Sequence, residues 1–381
     1  MTTRRFLTAF ATLWLALGGV LLSTMAGAQK PAAQRATLPR SARTDSVDTF
    51  IRRVMREREI PGLQLAVVQH GRVVLESAYG VANVEHQVPV TLRTVFPIAS
   101  ATKSFTGVAV LQLAERGLLD LSAPIARYVD SLPLAWQSVT LRQLLTHTAG
   151  LPNIVDQVSG GLIVPGEKAA WARVISLPPE GAPGVRFSYN QTNYLLLGRA
   201  IEHVTGQAFT ALVADRQFRP VGMRGAGFSD SRDVVPHGAQ SYTYMRIVDG
   251  KELQSDTLAL AYAEYPRGLR TAAGIHSSAG DIARWIIALQ RGRLISDSSL
   301  TMLWTPGTLN DGTRIGYALG WPVIERERHR ALAGIGGGRA AFFVYPDDDL
   351  AVVILTNLQG GAPHVFIDTL AAFFVPGIGQ H

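Results

Sequence analysis

Ala340-Ala-Phe-Phe-Val-Tyr-Pro-Asp-Asp-Asp-Leu-Ala-Val-Val-Ile-Leu-Thr356 reads as a β-hairpin. Two runs rich in aromatic and β-branched residues, 340–345 and 350–356, flank the turn residues Pro346-Asp347-Asp348-Asp349. Working outward, Leu63–Gln69 and Arg72–Tyr79 around His70-Gly71 form a second hairpin near the other end of the chain. Val47, Phe50, Ile51 and Val54 recur with helical spacing over 45–57, and Pro61-Gly62 ends that helix. A further helix is expected over Phe105–Arg116, closed by Gly117, and a last one over Pro363–Phe374. The middle, from about Leu118 to Arg270, reads as helical segments and loops punctuated by Pro and Gly. Strands at both ends with helices between them predict an α+β fold. One antiparallel β-sheet is flanked by helices and closed by the two ends of the chain. No internal repeat is visible.

Composition narrows the function classes. Of 381 residues 47% are apolar and 17% charged, a balance that excludes disorder, coiled coil and collagen. The formal net charge is +7, but the basic residues are scattered, so no nucleic-acid surface is expected. Cysteine is absent, which removes disulfides, zinc–thiolate sites and a cysteine nucleophile. Residues 1–28 combine Arg4-Arg5, an apolar run from Phe6 to Leu22, and Ala26-Gly27-Ala28, the pattern of a cleaved export signal. The rival reading is an uncleaved anchor, since the apolar run is nearly long enough to span a bilayer. Residues 29–44 read as an Ala-, Arg- and Pro-rich linker, and 45–377 as one domain. With no second run of spanning length, the processed protein is expected to be exported, periplasmic or secreted, without stable membrane insertion.

Chemistry concentrates at Phe96-Pro-Ile-Ala-Ser-Ala-Thr-Lys103, which holds Ser-x-x-Lys at an expected helix start. Residues three apart share a helix face, so the Lys103 amine would lie beside the Ser100 hydroxyl. A serine needs such a neighbour to take its proton, and the positive end of a helix favours the developing alkoxide. The chain has four lysines against 32 arginines, yet it keeps lysine here. Only lysine can lose its proton near neutral pH. The pair alone leaves catalysis and coincidence both open. The nine histidines are dispersed, no metal-ligand or dinucleotide spacing is present, and neither metal nor cofactor is expected. Thr146-His147-Thr148 looks like a metal or triad histidine, but the resemblance given below implies a structural turn near the site instead. His276-Ser-Ser-Ala-Gly280 lacks the first glycine and the preceding strand of a nucleophile elbow.

In collinear order, Ile60–Leu63, Phe96–Lys103, Leu144–Pro152, Pro183–Tyr189, Asn193–Gly198, Ala273–Asp281, Gly316–Trp321 and Tyr345–Asn357 resemble the penicillin-recognising serine hydrolases. The similar branch holds class C-like β-lactamases, related esterases and D-aminopeptidases. The resemblance implies a β-lactamase/transpeptidase-like fold, with an inserted, mainly helical subdomain beside the sheet and the active site between them. It implies Ser100 as nucleophile, Lys103 as its partner and Tyr189 as the tyrosine of a second motif, Tyr-x-Asn, with Gln191 where asparagine is usual. A competing register takes Ser188-Tyr189-Asn190 as Ser-x-Asn. The third motif, normally Lys or His, then Ser or Thr, then Gly, falls on Gly334, Ile335 and Gly336. Gly337 would then offer an oxyanion N–H with Ser100, and Gly336 would line the substrate. Arg339 or His329 could compensate for the cation missing at Gly334, but the motif positions neither. The implied activity is acyl-enzyme hydrolysis of a small-molecule ester or peptide, with small esters and D-amino-acid peptides ranked above β-lactams. The alternative is a non-catalytic relative that binds cell-wall fragments or a partner protein. Oligomeric state stays open.

Overall fold

Leu350–Thr356, buried at every position, is the middle strand of a seven-stranded antiparallel sheet in the computed structural model, which describes residues 40–156, 158–248 and 251–379. The expected export signal and residues 29–39 of the expected linker lie outside the described residues. The sheet's strands in chain order are β1 Gly62–Gln69, β2 Arg72–Asn83, β3 Val88–Pro89, β4 Val323–Ile324, β5 Ala331–Gly336, β6 Ala340–Tyr345 and β7 Leu350–Thr356. In space they run β3-β2-β1-β7-β6-β5-β4. The two hairpins read from the sequence therefore meet through β1 and β7, with Leu63 opposite Thr356 and Gln69 opposite Leu350.

Side-chain alternation sorts the apolar run of β7 to two cores. Val352 and Ile354 join Leu65, Val67 and Phe343 against α1 (Arg40–Glu57) and the short terminal helix Ile367–Ala371. Ala351, Val353 and Leu355 join Ala66, Phe342 and Val344 beneath two other helices, Thr102–Ala114 and Ala279–Gln290. A strand covered on both faces has no polar side to show, hence its unbroken apolar sequence. Between β3 and β4 lies the expected, mainly helical region, including Leu141–Leu145, Glu167–Ile175 and Gln191–Thr205.

Three sequence expectations shift. Helix α1 begins at Arg40, inside the expected linker, where the Arg43 guanidinium lies 5.2 Å from the centre of the Phe374 ring, a tertiary contact with no periodicity to announce it. The final helix is shorter than expected, a 3-10 turn at Pro363–Val365 followed by Ile367–Ala371. The middle region is not only helix and loop: Tyr242–Val248 pairs antiparallel with Lys251–Leu260, and Leu358–Gln359 joins in parallel. Lys251–Leu260 is largely exposed and polar, so apolar alternation could not reveal it; the aromatic and β-branched residues of Tyr242–Val248 and the Asp249-Gly250 dipeptide were the available signals.

Helix Thr102–Ala114 is α2 here, and it is buried around most of its circumference, so its apolar residues do not form a single stripe. Phe105 stacks on Trp285 of Ala279–Gln290 with ring centres 3.9 Å apart. Gln217 ties both together, donating to the Phe105 carbonyl at 3.0 Å and accepting from the Trp285 indole at 3.0 Å. Replacing Trp285 by Ala removes the stacked ring and strands the Gln217 carbonyl oxygen. The expected loss is about 3–5 kcal/mol, read as a lower midpoint in urea unfolding.

Candidate active site

Ser100 sits in the 3-10 turn Ala99–Ala101 that leads directly into α2. Ala99 holds a left-handed backbone, φ 46°, a conformation that is strained for a residue with a Cβ and persists only when its surroundings impose it. The imposing contacts are on both sides. The Ile98 N–H donates to the Ile275 carbonyl at 2.9 Å, and the Ile275 N–H to the Thr102 hydroxyl at 3.3 Å. From the sheet, Gly336 presses so close that a Cβ there would overlap the Ile98 carbonyl.

Lys103, in the first turn of α2, places Nζ 3.3 Å from Ser100 Oγ and donates to the Ala272 carbonyl at 3.0 Å. The side chain is 1% exposed, and its other neighbours are phenols: Nζ lies 4.8 Å from the Tyr189 ring centre and 5.1 Å from that of Tyr194. Burial lowers the Lys103 pKa, while the Tyr189 phenol works in the opposite direction. The magnitudes decide the sign. A ring face gives an ammonium about 0.5–2 kcal/mol, whereas burying a charge without an anion costs several kcal/mol. The positive end of α2 pushes the same way. Burial is the larger effect, so the amine is shifted toward its neutral form, the one that can accept a proton.

Tyr189 is 38% exposed, with its ring at the lysine and a face open to solvent. Its neighbours are turned to other tasks. Asn190 caps helix Gln191–Thr205, accepting from the Thr192 N–H at 2.8 Å and bonding the Leu151 carbonyl at 2.5 Å. The Ser188 hydroxyl lies 3.4 Å from a Glu180 carboxylate oxygen. The structure therefore brings Tyr189, not Ser188 or Asn190, to the serine–lysine pair. Gln191 opens the capped helix, and its side-chain oxygen is buried without a hydrogen-bond partner.

His147, expected in a structural turn near the site, belongs to this wall as well. Its carbonyl accepts from the Ser188 N–H at 2.8 Å and its Nδ1 from the Asn190 N–H at 3.1 Å, so one residue brackets Tyr189 from both sides. The ring packs 4.4 Å from Tyr189, 5.1 Å from Tyr194 and 5.0 Å from Tyr317. Burial holds its pKa well below the usual imidazole value, and Lys103 adds to this whenever it is protonated, which keeps Nδ1 an acceptor. Tyr194 and Tyr317 are buried, and burial raises both phenols, so they remain neutral walls. Tyr317 stands inside the Gly316–Trp321 segment, but nothing local in that segment marks it as packing on His147 and Tyr189.

On the sheet side, Gly334 pairs with Phe342 across β5 and β6, and a Cβ at 334 would overlap the Phe342 ring. The position where a third-motif cation is usual is thus filled by an aromatic ring from the adjacent strand. Gly337, φ 55°, turns the chain out of β5 with its Cβ site 3.2 Å from Ala99 Cβ, next to the serine turn. His329 is committed elsewhere, 2.8 Å from an Asp348 carboxylate oxygen. Arg339 lies beside Gly337 instead.

Comparison with known proteins follows the same lines. Residues 47–375 match the model of the Beta-lactamase family. Protein flp of Staphylococcus aureus (strain MW2) is 27% identical over 324 residues, 82% of this chain and 63% of that protein. The chain thus spans less than two thirds of that relative's length. A solved structure of the octameric penicillin-binding protein homologue from Pyrococcus abyssi superimposes with a TM-score of 0.71 at 26% identity, over 87% of this chain and 77% of that one. SurE, solved with D-Leu, superimposes with a TM-score of 0.66 at 26% identity, over 89% and 76% of the two chains.

Two substitutions test the packing of these walls. Gly334→Lys, which writes the usual cation back into the third motif, must displace the Phe342 ring. Overpacking of this kind costs about 1–3 kcal/mol, read as a lower melting temperature. His147→Leu leaves the Asn190 N–H buried without an acceptor and costs about 1–3 kcal/mol. His147→Asn, which offers an oxygen near the place of Nδ1 and tolerates the left-handed backbone at φ 57°, is expected to cost less in the same urea titration.

Proposed function

The chain belongs to the Beta-lactamase family of penicillin-recognising serine hydrolases, and from that premise we propose that it hydrolyses an ester or amide through an acyl-enzyme on Ser100. The observation that carries the reading is the buried Lys103 amine, 3.3 Å from the Ser100 hydroxyl and shifted toward its neutral form. In the first step Ser100 Oγ attacks the substrate carbonyl carbon and its proton passes to the Lys103 amine. Negative charge gathers on the former carbonyl oxygen, which the N–H groups of Ser100 and Gly337 would hold. Preorganised donors of this kind are worth about 10²–10³ in kcat each. As the tetrahedral adduct collapses, the proton reaches the leaving oxygen or nitrogen through the Tyr189 phenol, which faces both the lysine and solvent. A water then attacks the acyl carbon, gives a proton back along the same groups, and releases the acid and free Ser100.

Small esters and D-amino-acid peptides rank above β-lactams as substrates. The Phe342 ring at Gly334 leaves no cation where a penicillin carboxylate is usually held. The D-Leu bound in the related SurE structure favours the D-amino-acid class. Gln191 and Gly336 would line the acyl side. Export to the periplasm or beyond remains part of this proposal and rests on residues 1–28 of the sequence. Among the described residues no helix is long and apolar enough to cross a membrane.

Intact-protein mass spectrometry after a fluorophosphonate or a chromogenic ester should show one adduct, absent from Ser100→Ala. An unmodified wild-type protein under every probe would refute the proposal. Tyr189→Phe should lower kcat about 10²–10⁴-fold while Ser100 still acylates slowly. Because the neutral amine is the active form, kcat/KM should rise with pH through the Lys103 pKa. That acid limb should lie below the ordinary lysine value of about 10.4, and Lys103→Arg, which cannot give up its proton, should be inactive at every pH.

A further inference from the structure

Taking the Ser100 proton requires the Lys103 amine to be turned correctly as well as neutral. A neutral amine has two N–H groups and one lone pair, and rotation about the Cε–Nζ bond offers that lone pair about three staggered directions. It must face Ser100 Oγ, 3.3 Å away. The group that can hold the rotation is the Ala272 carbonyl, which takes one N–H at 3.0 Å. Ala272 lies between the 3-10 turn Arg267–Leu269 and the strand Ile275–Ser277, so its carbonyl takes its direction from the residues beside it.

Thr271, the residue before it, is buried and held from two helices. Its hydroxyl donates to the Tyr194 carbonyl at 2.6 Å, and its own carbonyl accepts from the Thr106 hydroxyl at 2.6 Å. Thr106 stands three residues beyond Lys103 on α2, and Tyr194 supplies one of the rings around the amine. Neither bond is what these groups do by default. A hydroxyl inside a helix usually bonds the carbonyl four residues back, whereas the buried Thr106 hydroxyl reaches across to this loop. A carbonyl inside a helix is already served by the amide four residues on, so the Tyr194 carbonyl does not need the Thr271 hydroxyl. Gly198 completes the seat: a Cβ there would stand 3.0 Å from the Thr271 methyl. Thr271 is thus gripped by the helix that carries Lys103 and by the helix that follows Tyr189.

We propose that Thr271 is a positioning residue for the Lys103 amine: clamped between the Thr106 hydroxyl and the Tyr194 carbonyl, it aims the Ala272 carbonyl so that the amine's lone pair faces Ser100. This role rests on the acyl-enzyme reading of Ser100. Thr271→Val removes the hydroxyl and keeps the branched shape. With a chromogenic ester, kcat/KM followed against pH should fall about 10–100-fold, the cost of a misplaced reacting group. The loss should persist on the alkaline plateau, where the amine is neutral in both proteins, because orientation and not protonation has been removed. Thr271→Ser, which keeps the hydroxyl, should recover most of it. Thr106→Val releases the same clamp from α2, so the double variant should be about as slow as the slower single one. Should Thr271→Val fail to fold, Thr106→Val carries the same plateau test. A deficit confined to the acid limb, a Thr271→Ser protein as slow as Thr271→Val, or losses that multiply in the double variant would overturn the proposal. A folded Thr271→Val protein as fast as wild type sinks this role alone and leaves the hydrolase reading standing. A wild type that no probe acylates sinks both.

Discussion

The structure turns on the desolvation of one amine. Lys103 is enclosed by Tyr189, Tyr194 and the Ala272 carbonyl, and among the described residues no anion pairs with it. In water a lysine one helical turn from a serine would be an ammonium, unable to take a proton. Here the same side chain is held between a hydroxyl it can serve and aromatic faces that keep water away. The surrounding elements exist to maintain that enclosure. Helix α2 is buried nearly all round, its first turn is pinned by Ile275 and Gly336, and the tyrosine wall is braced by His147 from behind.

Close backbone approach on the sheet side has a second consequence. The glycines at 334, 336 and 337 meet three different neighbours: the Phe342 ring, the Ile98 carbonyl and the Arg339 guanidinium. The first closes a position where a cation is usual, and the second lies against the serine turn with its left-handed Ala99.

Much of the fold was legible in advance. The hairpins at 63–79 and 340–356 follow from local β-rich runs around turn residues, and both appear in the sheet with the expected strands. Of the site, the Ser100–Lys103 pair was legible because three-residue spacing on a helix is itself a geometric statement. Tyr189 came from the resemblance rather than from any local rule. The hairpin at 242–260 was missed because its strand Lys251–Leu260 is largely exposed and polar. His147, Tyr317 and Arg339 lie far in sequence from Ser100, and no periodicity links them to it.

The amino-acid sequence alone determined the α+β layout, the two hairpins that meet at the centre of the sheet, and the adjacency of one hydroxyl and one amine. Those features depend on neighbours within a few residues, where backbone periodicity acts. Tertiary structure decided which register of the second motif faces the lysine, that Phe342 fills the place of the missing cation, and that Arg339 is buried without an anion. These depend on which strands and loops pack together, and desolvation, the force that gives them their chemistry, is set by everything around a group at once.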